Sequence, residues 1–123
     1  MSADPLVLMV EDNESLRELM RDALPDFGFR VVTADDGCQA LAMLESGVRF
    51  DFIFSDVSMP NGVSGIELAG HSARLLPQAR VILASGYARA QLPPLPDNVT
   101  FLPKPYRLPQ LIDVLQRSRI RVT

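Results

Sequence analysis

Glu11 and Asp12, Asp56, Ser85 followed by Gly86, and Lys104 are the residues of this sequence whose types could do chemistry together. Three carboxylates brought to one place repel one another, and such a cluster either holds a proton or recruits a cation. Hard oxygen donors with an opening to solvent suit Mg²⁺ best. A hydroxyl and an ammonium beside them complete the parts that phosphoryl transfer needs. These are a metal and a cation to offset charge on the equatorial oxygens, and an oxygen nucleophile held in line. Lys104 is the only lysine, all the other members of the 12 Lys and Arg residues being arginines. An ammonium is a compact point charge and a guanidinium a planar fork, so the one ammonium marks a position where the difference counts. No G-x-x-x-x-G-K-[ST] phosphate loop occurs, so a nucleotide is not the implied donor. The acceptor is then a carboxylate, and Asp56 is the central candidate.

Taken singly, each of these residues has an ordinary reading. Acidic residues follow strands as helix caps, an arginine bias can come from coding, and Lys104 could form a plain salt bridge with Asp56. What sets them apart is the elements they follow. Residues 6–10 form an unbroken apolar run, the pattern of a strand covered on both faces, and it ends at Glu11-Asp12. Asn13 can cap a helix carrying Leu16, Leu19, Met20, Ala23 and Leu24 at helical spacing, closed by Pro25 and Gly28. A second strand is expected over 30–33. A helix opened by Asp36 or Gly37 follows, with Ala40, Leu41 and Leu44 on one stripe, stopping at Gly47.

The third strand, 50–55, leads into Asp56, and a third helix over 62–76 turns Ile66, Ala69 and Leu76 inward. The fourth strand, 80–84, leads into Ser85, and the fifth, 99–102, towards Lys104. A last helix from about 108 to 119 presents Leu108, Leu111, Ile112 and Leu115 on one face, with Arg117, Arg119 and Arg121 near its end, where cations complement the helix dipole. Strands alternating with helices imply an α/β fold with a parallel sheet and right-handed crossovers. Five strands point to the flavodoxin-like, doubly wound order 2-1-3-4-5, whose ligands sit outside the carboxyl ends of the strands. All the candidate side chains fall on that rim. A fourth helix should be short or broken, because Pro93, Pro94 and Pro96 cannot all lie inside one.

With 123 residues, 47% of them hydrophobic, the chain has material for one core and is expected to be a single domain, 1–123, with no output domain. A net charge of -3 argues against a nucleic-acid or anionic-membrane footprint. The apolar run at 6–10 is far below the roughly 20 residues of a membrane span, and no basic leader precedes it, so a cytoplasmic location is expected. Cys38 is the only cysteine, expected to pack without reacting, since no cation beside it is evident that would lower its pKa.

Together, Val10-Glu11-Asp12-Asn13, Asp56 with Met59-Pro60, Ser85-Gly86 and Lys104-Pro105 resemble the receiver domains of two-component response regulators, over essentially the whole chain. The resemblance implies that Asp56 is the phosphorylated aspartate. Asp12, Asp56 and the Ser58 backbone carbonyl would be Mg²⁺ ligands, and Glu11 would act through metal-bound water. Ser85 would be the switch hydroxyl that turns towards the phosphoryl group, with Phe101 the aromatic that changes rotamer with it, and the Lys104–Pro105 bond would be cis.

The implied donor is a phosphohistidine of a sensor histidine kinase or of a histidine phosphotransfer protein. The response would pass to a downstream protein target, from a monomer or weak dimer that is not a turnover enzyme. His71, the only histidine, reads as a surface or packing residue. Gly65 lies nine residues after Asp56, one more than in the usual D-x-x-M-P-x-x-x-G, and with Ser85-Gly86-Tyr87 this is most similar to receivers of hybrid histidine kinases. Tyr87 stands where side-chain bulk would hinder the attacking water and slow dephosphorylation. The alternatives are a degenerate receiver acting as a phosphorylation-independent binding module, an aspartate-nucleophile phosphatase, and a flavin-binding module. Ser58 stands where the phosphatase needs a second Asp, and Glu11-Asp12 would repel a flavin phosphate.

Overall fold

The computed structural model of the protein describes residues 4–88, 91–95 and 98–122, with side chains to residue 118. Five strands, β1 (Leu6–Val10), β2 (Arg30–Ala34), β3 (Phe52–Asp56), β4 (Arg80–Ser85) and β5 (Val99–Pro103), form one sheet in the order β2-β1-β3-β4-β5. Every pairing is parallel. This is the flavodoxin-like order expected from the strand and helix alternation.

The apolar run of β1 is explained by the two layers it separates. Successive side chains of a strand point to opposite faces. Val7 and Met9 accordingly enter a core with Phe52, Phe54 and Ile82, whereas Leu8 and Val10 enter one with Ile53, Val81 and Leu83. The first core is covered by α1 (Glu14–Ala23) through Met20 and by α4 (Leu108–Val122) through Leu111, Ile112 and Leu115. The second is covered by α2 (Gly37–Glu45) through Ala40 and Leu44 and by α3 (Gly65–Leu75) through Leu68 and Ala69. Phe29 meets Phe52 edge-on, with ring centroids 6.0 Å apart.

Local chemistry sets the helix ends. Asn13 Oδ1 accepts the Leu16 N–H at 2.9 Å and caps α1. The helix tightens into a 3₁₀ turn, Leu24–Phe27, that ends on Gly28 at φ 88°. Asp36 caps α2. α3 opens later than the expected 62, because Asn61 and Gly62 both take left-handed φ, 66° and 92°. The start is set by a capping box in which the Ser64 hydroxyl accepts the Glu67 N–H and the Glu67 carboxylate accepts the Ser64 N–H.

Other expectations change as well. Leu19 is 53% exposed rather than turned inward. Leu76 is the C-cap of α3 and packs half-buried against the second core, as Ile66 does, while Leu68 is fully buried in it. Cys38 is exposed, not packed.

No α-helix occurs between β4 and β5 among the described residues. The Gln91 N–H donates to Ala88 O at 2.9 Å in a single turn, and Leu92 and Leu95 pack against the second core. Pro96 lies outside the described residues, as do the side chains of Arg119 and Arg121. Arg117 pairs with Asp113 one turn away, at 2.7 Å. Among the described residues no helix is long and apolar enough to cross a membrane.

Candidate functional site

The sheet register brings the expected residues to one edge. Val10 stands opposite Ser55, Asp56 opposite Ala84 and Ser85 opposite Pro103. The residues at these carboxyl ends therefore lie side by side. Asp56 is the last residue of β3 and Ser85 the last of β4, both inside their strands, where sequence periodicity placed them just beyond.

Glu11 is held at three points. Its N–H donates to Ala34 O at 3.1 Å, its Oε2 accepts the Asn13 N–H at 3.1 Å, and its carbonyl accepts Arg17 Nη1 at 2.9 Å. Arg17 also reaches Asp35, Nε to Oδ1 at 3.4 Å. Sequence reasoning missed this arginine. The only trace of it is a cation four residues after the cap Asn13, and its partners are a backbone carbonyl and a residue from another strand end.

Asp56 is 5% exposed. The chain leaving it is pinned at once, since the Val57 N–H donates to Ala84 O at 2.9 Å and the Gly65 N–H to Val57 O at 2.8 Å. A Cβ on Gly65 would fall 2.1 Å from the Asp56 carbonyl oxygen, so the first turn of α3 can rest there only without a side chain.

One carboxylate oxygen from each of Glu11, Asp12 and Asp56 lies within 4.8 Å of the others. Lys104 Nζ is 2.9 Å from Asp56 Oδ1, a close ion pair. The Lys104 N–H donates to Ser85 O at 2.8 Å, and the Lys104–Pro105 bond is cis. Ser85 is buried, and its Oγ accepts the Tyr87 N–H at 2.9 Å.

Of the other expected residues, Ser58 is exposed two positions beyond Asp56, and Phe101 is half-buried on β5. The Tyr87 side chain is 59% exposed. His71 is half-buried on α3, with Nδ1 2.9 Å from Arg74 Nη2. Tyr106, not singled out from the sequence, packs edge-on against Phe54 at 5.7 Å, and its buried hydroxyl has no hydrogen-bond partner among the described groups. A groove of about 580 Å³ opens beside the carboxylates, walled by Leu16, Leu19 and Met20 on one side and Tyr106 and Leu108 on the other. It accounts for the exposed Leu19.

The charges do not balance on their own. Burial pushes the Glu11 carboxyl up to about 7, partly opposed by the Asn13 N–H and reinforced by Asp56 and Asp12. Burial also raises Asp56 above the usual carboxylate range, with Lys104 pulling it down and Asp12 adding to the rise. Burial, then the Glu11 and Asp56 charges, pushes the Tyr106 phenol up. Three carboxylates thus lie together, with the Lys104 ammonium against one of them. A hard divalent cation fits this donor set.

The family model for the response regulator receiver domain matches residues 7–116. The chain is 28% identical over 117 residues to the response regulator receiver protein CpdR of Brucella abortus, covering 93% of this chain and 96% of that protein. It is 36% identical over 115 residues to the sensor kinase CckA of Brucella abortus, covering 90% of this chain but 12% of the kinase. Among solved structures it is similar to the response regulator protein TrrA from Thermotoga maritima in complex with Mg(2+)-BeF. The TM-score is 0.75 and the identity 28%, over 92% of this chain and 97% of that one.

Proposed function

The chain belongs to the response regulator receiver domain family, and from that premise we propose that it is a Mg²⁺-dependent phosphoacceptor switch in which Asp56 receives the phosphoryl group. The observation that carries this reading is the Lys104 ammonium 2.9 Å from the Oδ1 of buried Asp56, whose carboxylate offers an oxygen within 4.8 Å of oxygens of Glu11 and Asp12. Asp12, Asp56 and the Ser58 carbonyl would hold the cation, with Glu11 reaching it through water. Bound there, Mg²⁺ would offset the negative charge of the carboxylates and of an incoming phosphoryl group.

An Asp56 oxygen attacks the phosphorus of a phosphohistidine, the P–N bond breaks, and the imidazole leaves and takes up a proton. Lys104 stands against Asp56 to neutralise charge on the transferred group. Ser85 supplies the hydroxyl that turns to the phosphoryl oxygens, exchanging its present bond from the Tyr87 N–H for that contact, and Phe101 follows. The bulk of Tyr87 slows the water that would remove the phosphate. The chain takes one phosphoryl group per cycle and is no turnover enzyme. A sensor histidine kinase or histidine phosphotransfer protein in the cytoplasm is the donor, and the change passes to a downstream protein by contact from a monomer or weak dimer. The match to a sensor kinase supports a kinase partner.

The test is incubation with a small phosphodonor and Mg²⁺ followed by intact mass measurement. A gain of one phosphoryl group is expected, absent in Asp56→Asn and absent with a chelator. No gain under any donor would overturn the reading in favour of a phosphorylation-independent binding module.

A further inference from the structure

We infer that the loop after β3 is held in place by a latch to the first turn of α2, in which Asp36 and Asn61 act as positioning residues for the cation site. The inference rests on the reading of that site given above. Residues 57–64 join Asp56 to α3 and carry Ser58. At Asn61 and Gly62, φ of 66° and 92° turn the chain back towards α2. There Asn61 Nδ2 donates to Asp36 Oδ2 at 2.6 Å, and Asn61 O accepts from Cys38 Sγ at 2.9 Å.

The other Asp36 oxygen is already used, since Oδ1 accepts the Gln39 N–H at 2.8 Å and caps the helix. The Gln39 N–H first, and then the Asn61 amide, hold the Asp36 carboxyl below its usual range. An exposed hydrogen bond alone would be weak, but here the backbones also close. A Cβ on Gly37 would lie 2.3 Å from Val63 O, so the loop rests directly on the helix turn. The loop is therefore tied at Val57 to β4 and at Asn61 and Val63 to α2, and Ser58 lies on the chain between these ties. α2 supplies no carboxylate to the acidic cluster. This contact gives α2 a bearing on the loop that carries Ser58, as Gln39 gives it one on Asp35, which pairs with Arg17.

The test is calorimetric titration of the whole chain with Mg²⁺ alone. Asn61→Gly keeps the left-handed backbone and removes the amide. Asp36→Ser keeps a cap for α2 and leaves nothing for Asn61 to bond. One hydrogen bond is worth about two- to ten-fold in an equilibrium constant, so each variant is expected to raise the Mg²⁺ Kd by about that factor. The double variant should weaken binding no more than the worse single one, because both remove the same contact. The exchange Asp36→Asn with Asn61→Asp restores an amide-to-carboxylate bond at unchanged net charge and should recover the parent Kd.

The metal-free thermal midpoint is read alongside, and a loss of Mg²⁺ affinity at a held midpoint separates positioning from loss of fold. An unchanged Kd in both single variants, additive losses in the double, or no recovery in the exchange would overturn the latch while leaving the phosphoacceptor reading intact. A parent protein that binds no Mg²⁺ would overturn both.

Discussion

As the proposed phosphoacceptor, Asp56 has to stay ionised in a place that disfavours ionisation. It is 5% exposed, and among the described residues its close cation is the Lys104 ammonium at 2.9 Å. Truncating one partner of such a pair leaves a buried charge uncompensated. Lys104→Ala is thus expected to slow phosphorylation from a small donor by more than about tenfold, read from the time course of the intact mass. Lys104→Arg, which keeps the charge but replaces a point with a fork, should fall between. Glu11 makes a pH prediction. Its carboxyl sits at about 7 in the fold against an ordinary 4.5. A carboxyl raised by folding favours the native state fully below its unfolded value, and that contribution is lost as pH rises through the folded value. Metal-free protein should therefore lose stability between about pH 4.5 and 7, and Glu11→Gln should flatten that decline in thermal midpoints measured across the range. Arg17 also belongs to this scale. Its contacts with the Glu11 carbonyl and with Asp35 could not be read from the sequence, because one partner is a backbone atom and the other comes from a different strand end.

At the scale of elements, the end of β3 and the start of α3 act as one unit. α3 rests on the Asp56 carbonyl through Gly65, where a methyl would stand 2.1 Å from that oxygen. Gly65→Ala must displace either the helix or Asp56. It is expected to cost about 2 kcal/mol or more in urea denaturation, the range of an overpacked core, and to slow phosphorylation as well. Ser64→Ala removes the capping box one residue earlier. That should cost about 1 kcal/mol with phosphorylation held, since the helix loses a cap without pressing on Asp56. The strands were legible as apolar runs, for β1 Leu6–Val10 even to the residue, because a strand covered on both faces has no polar side to break the run. The start of α3 was not legible. Two consecutive left-handed residues, Asn61 and Gly62, shift it by three positions, and their conformation depends on Asp36 and Cys38 across the sheet edge.

Over the whole molecule, folding assembles an acidic cluster that could hold a cation, and on the proposed reading binding is coupled to stability. Mg²⁺ at about a hundred times its Kd is expected to stabilise the native state by about 2.7 kcal/mol. The measurement is a rise in thermal midpoint that a chelator reverses and that is reduced in Asp12→Asn, which removes a proposed ligand without touching the core. Element order, the parallel sheet and the gathering of Glu11, Asp12, Asp56, Ser85 and Lys104 at one rim follow from the sequence alone, because the period of the apolar residues dictates strands and helices and the crossover rule then aligns the strand ends. Only the tertiary structure decided that Arg17 holds the Glu11 carbonyl, that Leu19 walls a groove instead of filling the core, and that α2 bears on the loop after Asp56. Those outcomes depend on side-chain burial and on backbones from distant segments meeting within a few ångströms, and no local pattern in the chain encodes that distance.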